Sequence, residues 1–223
     1  MNIIEYADRD ILAMSLADKL AGALKNALLT NPEVSLAVPG GTTPGPIFDV
    51  LSAVSLDWSR VTVMLSDERW VSDTHDRSNA GLIRSRLLQG AADKATFLPF
   101  YKDGMTAHEA APVLSNELET HLPLSVLLLG MGADMHTASL FPGATGLAAA
   151  LDANAQAVCA IDTDTQPEPR ITLSAPVLTG ALEKHLVIFG EEKRAALDKA
   201  MHLPPEQAPI GAVMTGGTVH WAA

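Results

Sequence analysis

Residues Val126–Leu129 form an unbroken apolar run, VLLL, with Pro123 shortly before it and Gly130 directly after it. A strand without polar alternation has no face to offer to water. It suits a parallel sheet covered by helices on both sides. Similar short runs stand at Val34–Val38, Val61–Leu65 and 186–189, and each is followed closely by glycine or charged residues. Longer helical patterns separate them. This alternation predicts an α/β fold, a doubly wound and mostly parallel sheet flanked by helices.

The helical patterns have readable ends. Leu12, Leu16, Leu20, Leu24 and Leu28 recur every four residues and predict one apolar stripe on a helix over 8–29, closed by Asn31-Pro32. Further helices are expected at 44–54, 79–89, 106–121 and 175–182, and from 190 to about 201. Thr96 to Phe100, Val158–Ile161 and residues 170–174 read as strands, and 162–169 as a polar, proline-bearing loop. The polar end of the central stretch, residues 134–139, supplies another candidate helix start. A last strand is expected at 210–214. No repeat, low-complexity tract or linker interrupts the chain, so residues 1–223 read as one domain.

The polar clusters fall after strands. Pro39-Gly40-Gly41-Thr42-Thr43-Pro44 is a strand–glycine turn–helix start. Its amides, hydroxyls and helix dipole suit a phosphate, although a tight turn with an ordinary threonine cap reads equally well. Asp67, Glu68 and Arg69 end the next strand, either as a fixed guanidinium beside acid–base groups or as a surface ion pair. Asp134 and His136 follow the Val126–Leu129 strand, as chemistry or as a histidine bonded to its neighbours. Glu191, Glu192, Lys193 and Arg194 follow the 186–189 run, whereas Arg170 opens a strand-like segment. In a parallel sheet the strand ends share one rim, where open α/β folds bind ligands. That rim describes a site for a small phosphorylated molecule with a general base.

Other chemistries lack their residues. Met135 stands where a GxGxxG fingerprint needs its third glycine, and there is no Walker sequence, GxSxG elbow, Cys–His pairing signal or HExxH. No metal and no cofactor are expected. One cysteine, Cys159, excludes an internal disulfide framework. With 26 acidic against 15 basic residues the formal net charge is −11, which argues against a nucleic-acid partner. The first ten residues lack the basic and apolar regions of a signal peptide, and no apolar run nears the ~18 residues of a membrane span. A cytoplasmic location without membrane contact is therefore expected.

PGGTTP, SDERW, GMGADMHTASLFPG, RITLS and GEEKRAAL, in this order, resemble the glucosamine-6-phosphate isomerase/6-phosphogluconolactonase family. HTASLFPG after GMGAD is the most specific block. DER is the second, and both favour the lactonases over the deaminases. The resemblance implies a Rossmann-like fold of the sugar-phosphate isomerase type. It also implies hydrolysis of 6-phospho-D-glucono-1,5-lactone without a cofactor, by a monomer or small homo-oligomer. It makes His136 the general base, Asp134 its orienting partner and Arg69 a charge stabiliser near the lactone. It assigns the phosphate to Gly40, Gly41, Thr42, Thr43, Arg170 and Lys193, with Asp67 and Glu68 as support. The alternatives it leaves are a glucosamine-6-phosphate deaminase-like enzyme and a non-catalytic sugar-phosphate sensor. Met135 stands where the family has glycine, which predicts a costly backbone if φ there is positive.

Overall fold

The computed structural model describes residues 1–223. In chain order the elements are β1 Asn2–Glu5, α1 Arg9–Leu28, β2 Val34–Val38, α2 Gly45–Ser52, β3 Val61–Leu65 and β4 Asp67–Arg69. Then come α3 Asn79–Arg86, β5 Thr96–Leu98, α4 Ala107–Leu118, β6 Val126–Leu129, α5 Leu147–Leu151 and β7 Val158–Ile161. The last six are β8 Arg170–Leu173, α6 Ala175–Thr179, β9 Glu183–Phe189, α7 Gly190–Ala200, α8 Pro209–Val213 and β10 Thr218–Ala222.

Seven strands make one sheet in the order β1-β10-β9-β6-β2-β3-β5, and every pairing in it is parallel. Strands β2, β3 and β6 are buried at every residue, as their largely apolar runs, broken only by Ser35 and Thr62, require. The five-leucine stripe of α1 faces the core, and Asp8 starts the helix by accepting from Ile11 N at 2.7 Å. Helix α1 packs against α2 and crosses β2, β6 and β10, while α7 packs on β9 and β10 and carries α8. The buried apolar side chains form one continuous cluster from α1 to β10. No helix is long and apolar enough to cross a membrane.

From β2 the chain winds one way through β3 and β5, and from β6 it winds the other way through β9 and β10. The sheet therefore changes winding direction between β2 and β6. A crevice opens at such a point, beyond the carboxyl ends of the two strands. The turn at 40–43 and the loop at 130–139 flank it.

Four features differ from the sequence expectations. Residues 210–214 are not a strand: Pro209 opens α8, and Met214 N donates back to Ile210 O at 3.0 Å. A short apolar run does not distinguish the two states. The last strand is instead Thr218–Ala222, inserted between β1 and β9. β1 itself has no sequence signal beyond NIIE. Residues 134–139 start no helix, because Met135 (φ 67°) and Ala138 (φ 50°) are left-handed. Finally, DER is a strand. β4 pairs antiparallel with β8, and β8 with β7, in a second, three-stranded sheet. That pairing explains Arg170, which opens β8 and so lies opposite Arg69 at the end of β4.

Candidate active site

The turn after β2 leaves its donors free. The amides of Gly40, Gly41, Thr42 and Thr43 donate to no protein acceptor, and neither threonine hydroxyl makes a hydrogen bond. The cap of α2 is Pro44, with no side-chain bond, so the threonines are not ordinary helix caps. A Cβ on Gly40 would lie 1.8 Å from Asn79 Oδ1, and Gly41 sits at φ +90°. Only glycine brings the backbone this close to α3. Four amides without a protein acceptor beside a helix start are donors that an anion could take.

Arginines surround this turn. A cavity of about 390 Å³ is lined by Gly41, Thr42, Arg69, Arg77, Asn79 and Arg86, among others. Arg86 is committed, because it forks onto Asp49 of α2, and that bond holds the Asp49 carboxyl below its usual range. Arg77 pairs with Glu168 at 2.7 Å. Arg69 Nη1 donates to Arg77 O at 2.6 Å, but its buried Nε has no acceptor. Arg170, 3% exposed, likewise has an Nε without an acceptor. It donates to Gln166 Oε1 at 2.6 Å and lies 5.6 Å from the Phe141 ring. Burial pulls its guanidinium down from the ordinary arginine range, and Asp67 pulls it back up. Buried guanidinium N–H groups without acceptors are costly unless an anion takes them.

Across the crevice, His136 Nδ1 stands 2.5 Å from Asp134 Oδ1. That bond holds the Asp134 carboxyl below the usual carboxylate range. With Nδ1–H given to a carboxylate, the lone pair is on Nε2, which has no protein partner. The ring packs against Phe141 with centroids 4.5 Å apart and keeps 29% of its side chain exposed. Gly132 makes room for this pair, since a Cβ there would lie 2.3 Å from the imidazole and 2.4 Å from Asp134. Met135, at φ 67°, adopts the conformation that favours glycine.

The two acids of DER face opposite ways, as neighbours on a strand must. Glu68 is fully buried. It accepts from Arg69 N (2.8 Å), Asn79 N (2.7 Å), Ala80 N (2.8 Å) and Ser78 Oγ (3.1 Å), so it ties the start of α3 to β4. Burial pushes it up to about 7 against the pull of the three backbone bonds. Asp67 faces the loop of His136 and Arg170, whose Nη1 is 3.9 Å away.

The fold thus puts the 40–43 turn, Arg69, Arg170, Asp134 and His136 on one rim. Arg69 shares a cavity with the turn, although the sequence places it at the reacting end. Lys193 stands half-buried in the first turn of α7, on the same rim, without a hydrogen bond or ion pair. The cavity also uses Arg77, Asn79 and Arg86, which the sequence does not single out. Only the polarity of 75–79 hints at the first two. No group of three His, Cys, Asp or Glu side chains converges to hold a metal.

The family described as Glucosamine-6-phosphate isomerases/6-phosphogluconolactonase matches residues 7–221. A 6-phosphogluconolactonase of Pseudomonas aeruginosa is 42% identical over 94% of this chain and 90% of its own. One from Mesorhizobium japonicum is 40% identical over 97% and 93%. The crystal structure of a 6-phosphogluconolactonase from Shewanella baltica superposes with a TM-score of 0.96 at 34% identity, over 100% of this chain and 98% of that one.

Proposed function

Because this chain belongs to the glucosamine-6-phosphate isomerase/6-phosphogluconolactonase family, we propose that it hydrolyses 6-phospho-D-glucono-1,5-lactone to 6-phospho-D-gluconate, the lactone-opening step of the oxidative pentose phosphate pathway. The observation that carries the mechanism is the His136–Asp134 pair, with Nδ1 engaged at 2.5 Å and Nε2 free.

His136 Nε2 takes a proton from water as the oxygen attacks C1 of the lactone. The tetrahedral oxyanion collapses by breaking the bond from C1 to the ring oxygen, and the imidazolium returns its proton to that oxygen. Asp134 holds the tautomer and steadies the imidazolium while it exists. The hydroxyls closest to His136 in sequence are engaged elsewhere, which supports direct attack by water. Ser139 Oγ is spent on Asp67 and Thr137 Oγ1 on Gly130 O. The 6-phosphate lies against the amides of residues 40–43, with Arg69 and Arg170 offering their unpaired N–H groups and Lys193 a point charge. The cavity shared by Arg69, Gly41 and Thr42 supports putting Arg69 on the phosphate side.

The test is turnover of freshly made 6-phosphogluconolactone, read as proton release above the unaided rate. We expect wild type to be active and His136→Ala, folded, to lose about 10²–10⁴-fold in kcat, the size of a positioned acid–base group. Near-wild-type kcat in the variant would remove His136 from the mechanism. Ammonia released from glucosamine 6-phosphate, without turnover of the lactone, would favour a deaminase.

A further inference from the structure

The loop of His136 is held in a conformation its residues do not favour. Met135 and Ala138 flank His136-Thr137 and both carry a Cβ at positive φ, 67° and 50°. Such backbone persists only where the surroundings over-determine it, and it concentrates at functional sites. On the amino side the fixtures are local. Gly132 N donates to His136 O at 3.0 Å, Met135 N to Gly132 O at 3.0 Å, and Thr137 Oγ1 to Gly130 O at 2.9 Å. On the carboxyl side Leu140 N donates to Thr137 O at 3.0 Å and closes the turn, and Ser139 ties that turn to the small sheet.

Ser139 follows Ala138 directly and is fully buried. Its hydroxyl donates to Asp67 Oδ2 at 2.6 Å, and its amide donates to Thr172 Oγ1 at 3.2 Å. Asp67 and Thr172 are register partners across β4 and β8. Thr172 gives its own proton to Leu173 O at 3.1 Å, which turns a lone pair toward the incoming amide. Asp67 is buried as well, and its other oxygen accepts from Ser66 Oγ at 3.2 Å. Two strands of the small sheet thus present one carboxylate and one hydroxyl to the two donors of one residue. The same Asp67 oxygen that takes Ser139 faces Arg170 Nη1 at 3.9 Å.

We infer that Ser139 and Asp67 are positioning residues for the hydrolysis: their hydrogen bond pins the left-handed turn at Ala138 and thereby the direction of His136 Nε2. The inference rests on His136 being the base. Neither residue takes part in the chemistry. Asp67 has its oxygens on Ser66 and Ser139, and the Ser139 proton points at a carboxylate and not at an imidazole. The small sheet, absent from the simplest doubly wound plan, is then the frame that holds the catalytic loop, with Arg170 on the same carboxylate.

A double-mutant cycle on kcat tests this. Ser139→Ala should lower kcat by about 10–100-fold with KM within about threefold, because the phosphate contacts are untouched and a small displacement of a catalytic group suffices. Ser139→Thr, which keeps the hydroxyl, should recover most of the loss, and Asp67→Asn, which keeps an acceptor but loses the charge, should fall between. In the His136→Ala background, Ser139→Ala should cost nothing further, since a residue acting through His136 has no effect once His136 is gone. A full second loss in that background, a KM rise matching the kcat fall, or an unchanged kcat in Ser139→Ala would each overturn the positioning role. A fully active His136→Ala would instead overturn the base itself, and the positioning role with it.

Discussion

At the scale of single residues, Glu68 shows how a carboxylate in a charged cluster can be structural. It has no exposure and four donors, three of them backbone N–H groups of β4 and α3. A glutamine has one acceptor oxygen and an NH₂, so Glu68→Gln turns donors against donors in a buried place. With about 1–3 kcal/mol for each buried polar group left unpaired, we expect a loss of about 2–4 kcal/mol in urea unfolding at pH 7. A change below about 0.5 kcal/mol would mean that α3 starts without Glu68. The sequence shows Asp67-Glu68-Arg69 as three charges after a strand. It does not show that they are a strand themselves, and only a strand's alternation sends Asp67 and Glu68 to opposite partners. The place of His136 beyond a strand end was legible because Gly130 and Gly132 mark that end. Ser139 was not, because a serine in a polar loop has the same letters whether or not a buried carboxylate awaits it.

At the scale of elements, the strand–turn–helix of β2 and α2 and the antiparallel pair of β4 and β8 meet at the proposed phosphate site. The first offers four unpaired amides and the second two guanidinium groups with unpaired Nε. Each charge-assisted bond contributes roughly 1.5–3 kcal/mol. Removing the phosphate therefore costs several kcal/mol, which is at least about 10³-fold in kcat/KM. Unphosphorylated glucono-δ-lactone should be a poor substrate by that factor, with part of the loss in kcat because remote binding orients the carbonyl. Arg170→Ala and Lys193→Ala should narrow the gap between the two lactones. Arg69→Lys keeps the charge and loses the fork, and should weaken binding of 6-phosphogluconate more than it lowers kcat. The reverse ratio would place Arg69 at the reacting end. A wild type that treats the lactones within tenfold has no phosphate clamp. The strand and helix of this unit were plain in the sequence, since VSLAV, PGGTTP and Pro44 each carry a local rule. The pairing of β4 with β8 joins residues about a hundred positions apart and obeys no local rule.

At the scale of the whole molecule, the edge of the large sheet is closed by the two chain ends, β1 and β10, and these are the two of its seven strands that sequence patterning did not find. Their signal is tertiary. Tyr6 OH lies 2.8 Å from His220 Nδ1, His220 Nε2 lies 3.0 Å from His185 Nδ1, and His185 Nε2 lies 3.2 Å from Glu183 Oε1. The Glu183 carboxylate can only accept, so His185 donates to it, His220 donates to His185, and Tyr6 donates to His220. Both imidazoles are neutral in that arrangement: a proton added at His185 Nδ1 would face His220 Nε2–H, and one added at His220 Nδ1 would force the Tyr6 hydroxyl to turn from donor to acceptor. Burial, followed by the neighbouring His185 and Lys19, lowers His220 to about 3, and burial lowers His185 as well. In the unfolded chain both return to about 6.5. The unfolded state therefore takes up protons first as pH falls below 6.5, and stability is lost on the way down to about 3. For His220 alone that is about 2 kcal/mol by pH 5, and His185 adds to it. Glu68 acts with the opposite sign. Its folded value of about 7 exceeds its unfolded one, so its unfavourable contribution grows as pH rises from 4.5 toward 7. Acidification from pH 7 to 5 relieves about 2 kcal/mol of it. Urea unfolding at pH 7, 6 and 5 separates the two. We expect His220→Gln to lose less stability than wild type on acidification, by about 2 kcal/mol, and Glu68→Gln to lose about 2 kcal/mol more than wild type. If His220→Gln follows the wild-type slope, His220 is not held neutral at this edge, and the proton order drawn through Tyr6, His220 and His185 is wrong.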